Sequence, residues 1–180
     1  MVRIVRSEIT KITTLPSVWI TAVALFFVFL FFQYQVFGVY SELAAGFREG
    51  ALTETYVAEE LQESVEASIF NPGILLVLLG AIIAGSEFKA GQFGMSVVAV
   101  PNRRKLLVAK FIAASLYVFI LTLVWFVVAA AFVYFGAQGV STELISAVDL
   151  LPGFFRLLLF MIAFTLFPLG FTLIARRTLF

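Results

Sequence analysis

The chain has 180 residues, 62% hydrophobic and 13% charged, with a mean hydropathy of +1.09 and a formal net charge of +1. Such a composition excludes a water-soluble domain. The absence of Cys and His further excludes disulfide staples, thiolate or imidazole metal ligands, and any Ser–His or Cys–His nucleophile pair.

No charged side chain falls between Lys11 and Glu42, Glu66 and Glu87, Lys110 and Glu143, or Arg156 and Arg176, which leaves uncharged runs of 30, 20, 32 and 19 residues. A helix crosses the hydrocarbon core with about 20 apolar residues. Unpaired backbone groups are costly in lipid, and the alternating pattern of a barrel is missing. The expected fold is therefore all-α: a polytopic membrane helical bundle of four transmembrane helices, one transmembrane domain over residues 1–180.

In chain order, residues 1–14 read as an interfacial amphipathic helix, with Val2, Val5, Ile9 and Ile12 spaced three, four and three apart and Arg3, Arg6 and Lys11 able to reach headgroups. Pro16 suits the first turn of the first span, about 17–38, and Trp19 sits where an interfacial anchor belongs. This apolar run is too long for the core of a cleaved signal peptide. Residues 41–68 carry seven Glu and one Arg and read as a solvated outer loop, with an amphipathic helix as the alternative for its second half, where Val57, Leu61, Val65 and Ile69 recur every four residues. The second span covers about 69–85. Its Asn71-Pro72-Gly73 reads as a helix start at Pro72, the alternative being a discontinuous helix whose freed backbone lines a cavity. Gly80, Ala81 and Ala84 there are small enough for close helix packing. Residues 106–135 form the third span and 153–175 the fourth, with a kink expected at Pro168-Leu169-Gly170.

Ten of the twelve Lys and Arg residues lie in 1–15, 86–110 and 176–180, whereas nine of the eleven acids lie in the intervening segments. Basic loops stay inside, so a multi-pass protein of the cell membrane with both termini and the middle loop cytoplasmic is expected. The basic residues sit where topology requires them, so nucleic acid is not implied as a partner; membrane lipid is.

The middle segment, from Gly85 to Lys110, is the most distinctive local feature. Glu87, Lys89 and Gly91 precede the apolar Val97–Val100, then Pro101, the basic Arg103-Arg104-Lys105, and Lys110. This order resembles the loop between spans two and three of the permease subunits of type 2 ATP-binding-cassette (ABC) transporters. Glu8, Lys11 and Trp19 resemble that family's amino-terminal segment, and Arg176-Arg177-Thr178 the basic segment after its fourth span. Gln92 stands where the family has Thr. The family has six spans, so the four here resemble its first four, and Phe180 is expected to be a truncation point.

The resemblance implies a permease of an ABC exporter whose loop 86–105 docks on a cytoplasmic ATPase, with Glu87, Phe88, Gly91, Pro101, Arg103 and Arg104 as the coupling residues. Arg103 and Arg104 also read as purely topogenic charges. A second permease copy or homologous permease is the implied membrane partner. The chain is not expected to be an enzyme or to bind a cofactor: it contains no G-x-x-x-x-G-K-[ST], so the separate ATPase would use the ATP. Arg156, near the outer end of the fourth span, either snorkels to the interface or faces a substrate path. Gln33 likewise either lines a polar path or wets a helix end. The alternative function is a non-transporting four-helix accessory or immunity protein.

Overall fold

The structure is a computed structural model and describes residues 1–86, 88, 102–137 and 151–175. These residues are all-α, without a strand. The helices are α1 (Val2–Thr14), α2 (Pro16–Arg48), α3 (Glu54–Gly73), α4 (Leu76–Ser86), α5 (Arg103–Gly136) and α6 (Leu151–Ala175).

Local chemistry accounts for their limits. Leu15 is extended (φ −77°, ψ 114°), as a residue before proline prefers, and Pro16 opens α2 where its missing N–H costs nothing. Gly50, at φ 72°, ends the loop side of α2. Its N–H donates to the Phe47 carbonyl (3.0 Å) and that of Ala51 to the Gly46 carbonyl (2.9 Å), the paired bonds of a Schellman cap. Leu52 then folds over Gly46, where an added Cβ would come 2.7 Å from its Cδ1. Asn102 caps α5 by accepting the Lys105 N–H at Oδ1 (3.1 Å).

Two expectations need correction. Residues 41–68 are not a loop: α2 continues to Arg48 and α3 begins at Glu54, so only residues 49–53 connect them. Charge marks solvent, but Glu and Arg are good helix formers. Burial of Leu43 and Ala44 on α2 and of Val57, Leu61, Val65 and Ile69 on α3 supplies the packing that extends both helices. Nor does Pro72 start a helix. It lies inside α3, and the interruption comes at Ile74–Leu75 before α4. Pro72 withdraws the N–H that would pair with the Ser68 carbonyl, and Gly73 adds backbone freedom just before the break.

Among the described residues, four helical stretches are long and apolar enough to cross a membrane: Pro16–Arg48, Glu54–Ser86 (α3 with α4), Arg104–Gly136 and Leu151–Leu173. Only 22–33% of the most apolar window is buried in the first, third and fourth, against 50% in the second. Exposed apolar side chains such as Ile20, Phe27, Ile120, Leu159 and Phe167 require a lipid solvent. This is a membrane protein.

The chain forms two compact units. The first takes in residues 1–25 and 75–121 with the described part of 161–180. Its buried residues include Ile12, Val18, Leu76, Leu79, Ile83, Ala113, Val118 and Leu169. Gly80 and Ala84 face this core while Ala81 points outward. α6 runs unbroken through Pro168, with Thr165 donating to the Met161 carbonyl (3.0 Å) and Thr172 to that of Pro168 (2.7 Å).

The second unit comprises residues 26–74 and 122–160. Large rings fill it: Phe29 stacks on Trp125 (centroids 4.7 Å, planes 10°), Phe126 meets Phe154 at 5.0 Å, and Phe70 stacks on Phe160 at 4.2 Å. Offset or edge-on ring pairs contribute beyond their buried area.

Candidate functional site

In the first unit, Glu8 is 3% exposed and Lys110 4%. One Glu8 carboxylate oxygen, Oε1, accepts from Lys11 Nζ (2.8 Å), and the other, Oε2, from Lys110 Nζ (2.6 Å). Glu8 and Lys11 are three apart on α1, hence on one face, and Lys110 lies two turns into α5. Burial pushes the Glu8 carboxyl up, but the hydrogen bonds and charges of the two lysines outweigh it and hold the group below its ordinary value. Three residues that carry the family resemblance, Glu8 and Lys11 on one helix and Lys110, which is 102 positions from Glu8 in sequence, thus form one ionic cluster. Val2, by contrast, is 82% exposed, so the buried side of α1 is the Glu8–Ile12 side rather than the whole apolar stripe.

Of the expected coupling residues, Glu87, Gly91 and Pro101 lie outside the described residues. Phe88 is half-buried and its N–H donates to the Gly85 carbonyl (3.2 Å). Arg103 is the first residue of α5, and Arg104 beside it is exposed.

In the second unit Arg156 pairs with Glu66 (Nη1 to Oε2, 3.0 Å), the guanidinium side 72% exposed and the carboxylate side 20%. Gly153 makes the seat: a Cβ there would lie 2.5 Å from Glu66 Oε1. The carboxylate therefore rests on the first turn of α6, where the helix dipole favours an anion. Beside the pair opens a cavity of about 300 Å³. Glu63, Glu66 and Arg156 form its charged end, and Phe70, Leu157 and Phe160 line its apolar part.

Gln33, the other candidate, is fully buried and donates from Nε2 to Ser68 Oγ (2.8 Å), which in turn donates to the Val65 carbonyl (2.8 Å). It ties α2 to α3 and does not wet a helix end. Ser68→Ala, which strands the buried Gln33 amide, is expected to cost about 1–2 kcal/mol. Ser68→Ala with Gln33→Leu should recover most of that loss in thermal unfolding of the detergent-solubilised protein. Among the described residues, Gln33 Oε1, Thr122 Oγ1 and Trp125 Nε1 are buried in the same unit without a hydrogen-bond partner.

The partners Glu66 and Ser68 were not found by sequence reasoning. Glu66 left one trace, as the last acid before an uncharged run. Among the described residues no three His, Cys, Asp or Glu side chains converge as a metal site would require. Comparison with models of known protein families, with curated proteins and with solved structures finds no match for this chain.

Proposed function

We propose that the chain is the membrane-spanning permease of an ABC exporter of the type 2 class. On this reading it lies in the cell membrane with residues 1–14, 86–105 and 176–180 on the cytoplasmic side. A separate ATPase binds and hydrolyses ATP, and a second permease completes the assembly. The observation that carries the proposal is the Glu8–Lys11–Lys110 cluster: residues matched to the family in two distant segments meet in one buried ionic contact.

The arrangement suits mechanical coupling. α5 is a single helix of 34 residues starting at Arg103, so a push on the segment before it is carried along the helix axis. Glu8 fastens α1 to the second turn of α5, making the amino-terminal helix part of the element that moves. The Ile74–Leu75 interruption gives the α3–α4 stretch a place to bend. ATP-driven closure of the ATPases would bias these helices between two arrangements. On this reading Arg103, the first residue of α5, and the exposed Arg104 beside it would pair with carboxylates on the ATPase.

The test is purification of the tagged protein from its native membranes in mild detergent. A stoichiometric ATP-binding subunit is expected to accompany it and to be lost, at least tenfold, when Arg103 and Arg104 are both changed to Glu. Membrane insertion should persist. An intact protein arriving alone would refute the permease reading; an ATPase retained by the double variant would remove the two arginines from the interface.

A further inference from the structure

We propose that the cavity between α3 and α6 binds a phospholipid whose headgroup is zwitterionic and carries a primary amine. The inference stands independently of the transporter reading.

The cavity has the polarity of an amphiphile along its length. On α3, Glu63, Glu66 and Phe70 lie three and four residues apart and so share one face. The charges are at the end nearer Glu54 and the ring is further along. On α6 the order is matched: Arg156 at the charged end, Phe160 one turn on and stacked against Phe70. A head bound at the charged end would direct its chain over these rings. The volume, about 300 Å³, is at the lower end of the range for small-molecule sites.

The charges select the head. Arg156 commits Nη1 to Glu66, while its side chain is 72% exposed and its remaining N–H groups have no partner among the described residues. A guanidinium so placed offers paired donors to a phosphate. Glu63, one turn from Glu66, is exposed and has no partner among the described residues, leaving a carboxylate for an ammonium. Two carboxylates against one guanidinium leave the site net negative, which disfavours a purely anionic lipid. A quaternary ammonium has no N–H with which to hydrogen-bond Glu63, so a primary amine is preferred over choline.

Native mass spectrometry of the full chain in detergent tests this with phosphatidylethanolamine, phosphatidylcholine and phosphatidylglycerol of identical acyl chains. Phosphatidylethanolamine is expected to bind about tenfold more tightly than either of the others, the effect of one charge-assisted hydrogen bond. Glu63→Gln should erase that preference. Ala67 lines the cavity and is exposed, so Ala67→Trp should fill the cavity and abolish binding of all three without lowering the unfolding temperature. Equal binding of the three lipids, an undiminished preference in Glu63→Gln, or lipid retained by Ala67→Trp would each overturn the proposal.

Discussion

Replacing Glu8 with alanine is expected to cost about 3–5 kcal/mol of stability, the range for removing one partner of a buried ion pair. Lys110, 4% exposed, would lose the buried carboxylate that lies 2.6 Å from its ammonium. Lys11 should matter much less, because its side chain is 35% exposed and water replaces the lost partner; Lys11→Met is expected within about 1 kcal/mol of the parent. Changing Glu8 and Lys110 together to Met should recover most of the loss, since two matched apolar side chains leave no uncompensated charge. The pH dependence has a definite sign. The Glu8 carboxyl is held below its ordinary value of 4.5 by the two lysines against the opposing effect of burial. Its contribution is therefore fully present above pH 4.5 and is lost as pH falls through the lowered value. Thermal unfolding in detergent should show a wide gap between parent and Glu8→Ala at pH 7, narrowing at acid pH. A gap unchanged at acid pH would mean that Glu8 acts through packing and not through charge.

The spans were legible because one physical variable, uncharged length, decides what can cross lipid, and each of the four uncharged runs overlaps a helix long and apolar enough to do so. The same charge pattern misled at residues 41–68. Seven Glu indicate contact with water, yet a helix can meet water on one side and bury Val57, Leu61 and Val65 on the other; the four-residue spacing carried the conformational information that charge density did not. Pro72 misled for a similar reason, since proline limits a helix only through the hydrogen bond it removes, and here the chain stays helical for one more residue before breaking. The polar contacts were invisible for a different reason. Glu8–Lys110, Arg156–Glu66 and Gln33–Ser68 join positions 102, 90 and 35 apart, and a linear pattern holds no register between helices. Sequence did single out Glu8 and Lys110, though not their pairing, and one member of each of the other two pairs, because a charge or amide near an apolar run stands out. The partner that neutralises it became apparent only when the helices were placed side by side.

Gly80→Leu is expected to disrupt the first unit more than any other single substitution on α4. Gly80 meets α6 with its backbone: a Cβ there would collide with the Thr165 carbonyl oxygen and come 2.8 Å from the Pro168 ring. Neither can yield cheaply. The carbonyl belongs to the helical backbone of α6, and the proline ring is rigid. Small residues at such crossings let helices approach closely enough for dispersion contacts, which in lipid replace the hydrophobic drive available in water. Gly80→Ala alone should cost about 1–3 kcal/mol by overpacking. Leu would add three more carbons and force the helices apart, lowering the unfolding temperature in detergent well below that of the Ala variant. Gly38 supplies the control: it lies within α2 and an added Cβ would meet nothing within 4 Å, so Gly38→Ala should instead stabilise by about 0.5–1 kcal/mol through helix propensity. Because the chain has no cysteine, a Cys pair placed across α4 and α6 near the crossing would report the separation directly. Efficient cross-linking in the parent that collapses in Gly80→Leu is the expected result. Equal cross-linking in both would show that α6 bends to accept the side chain, and that the close approach at Gly80 is not what holds these two helices together.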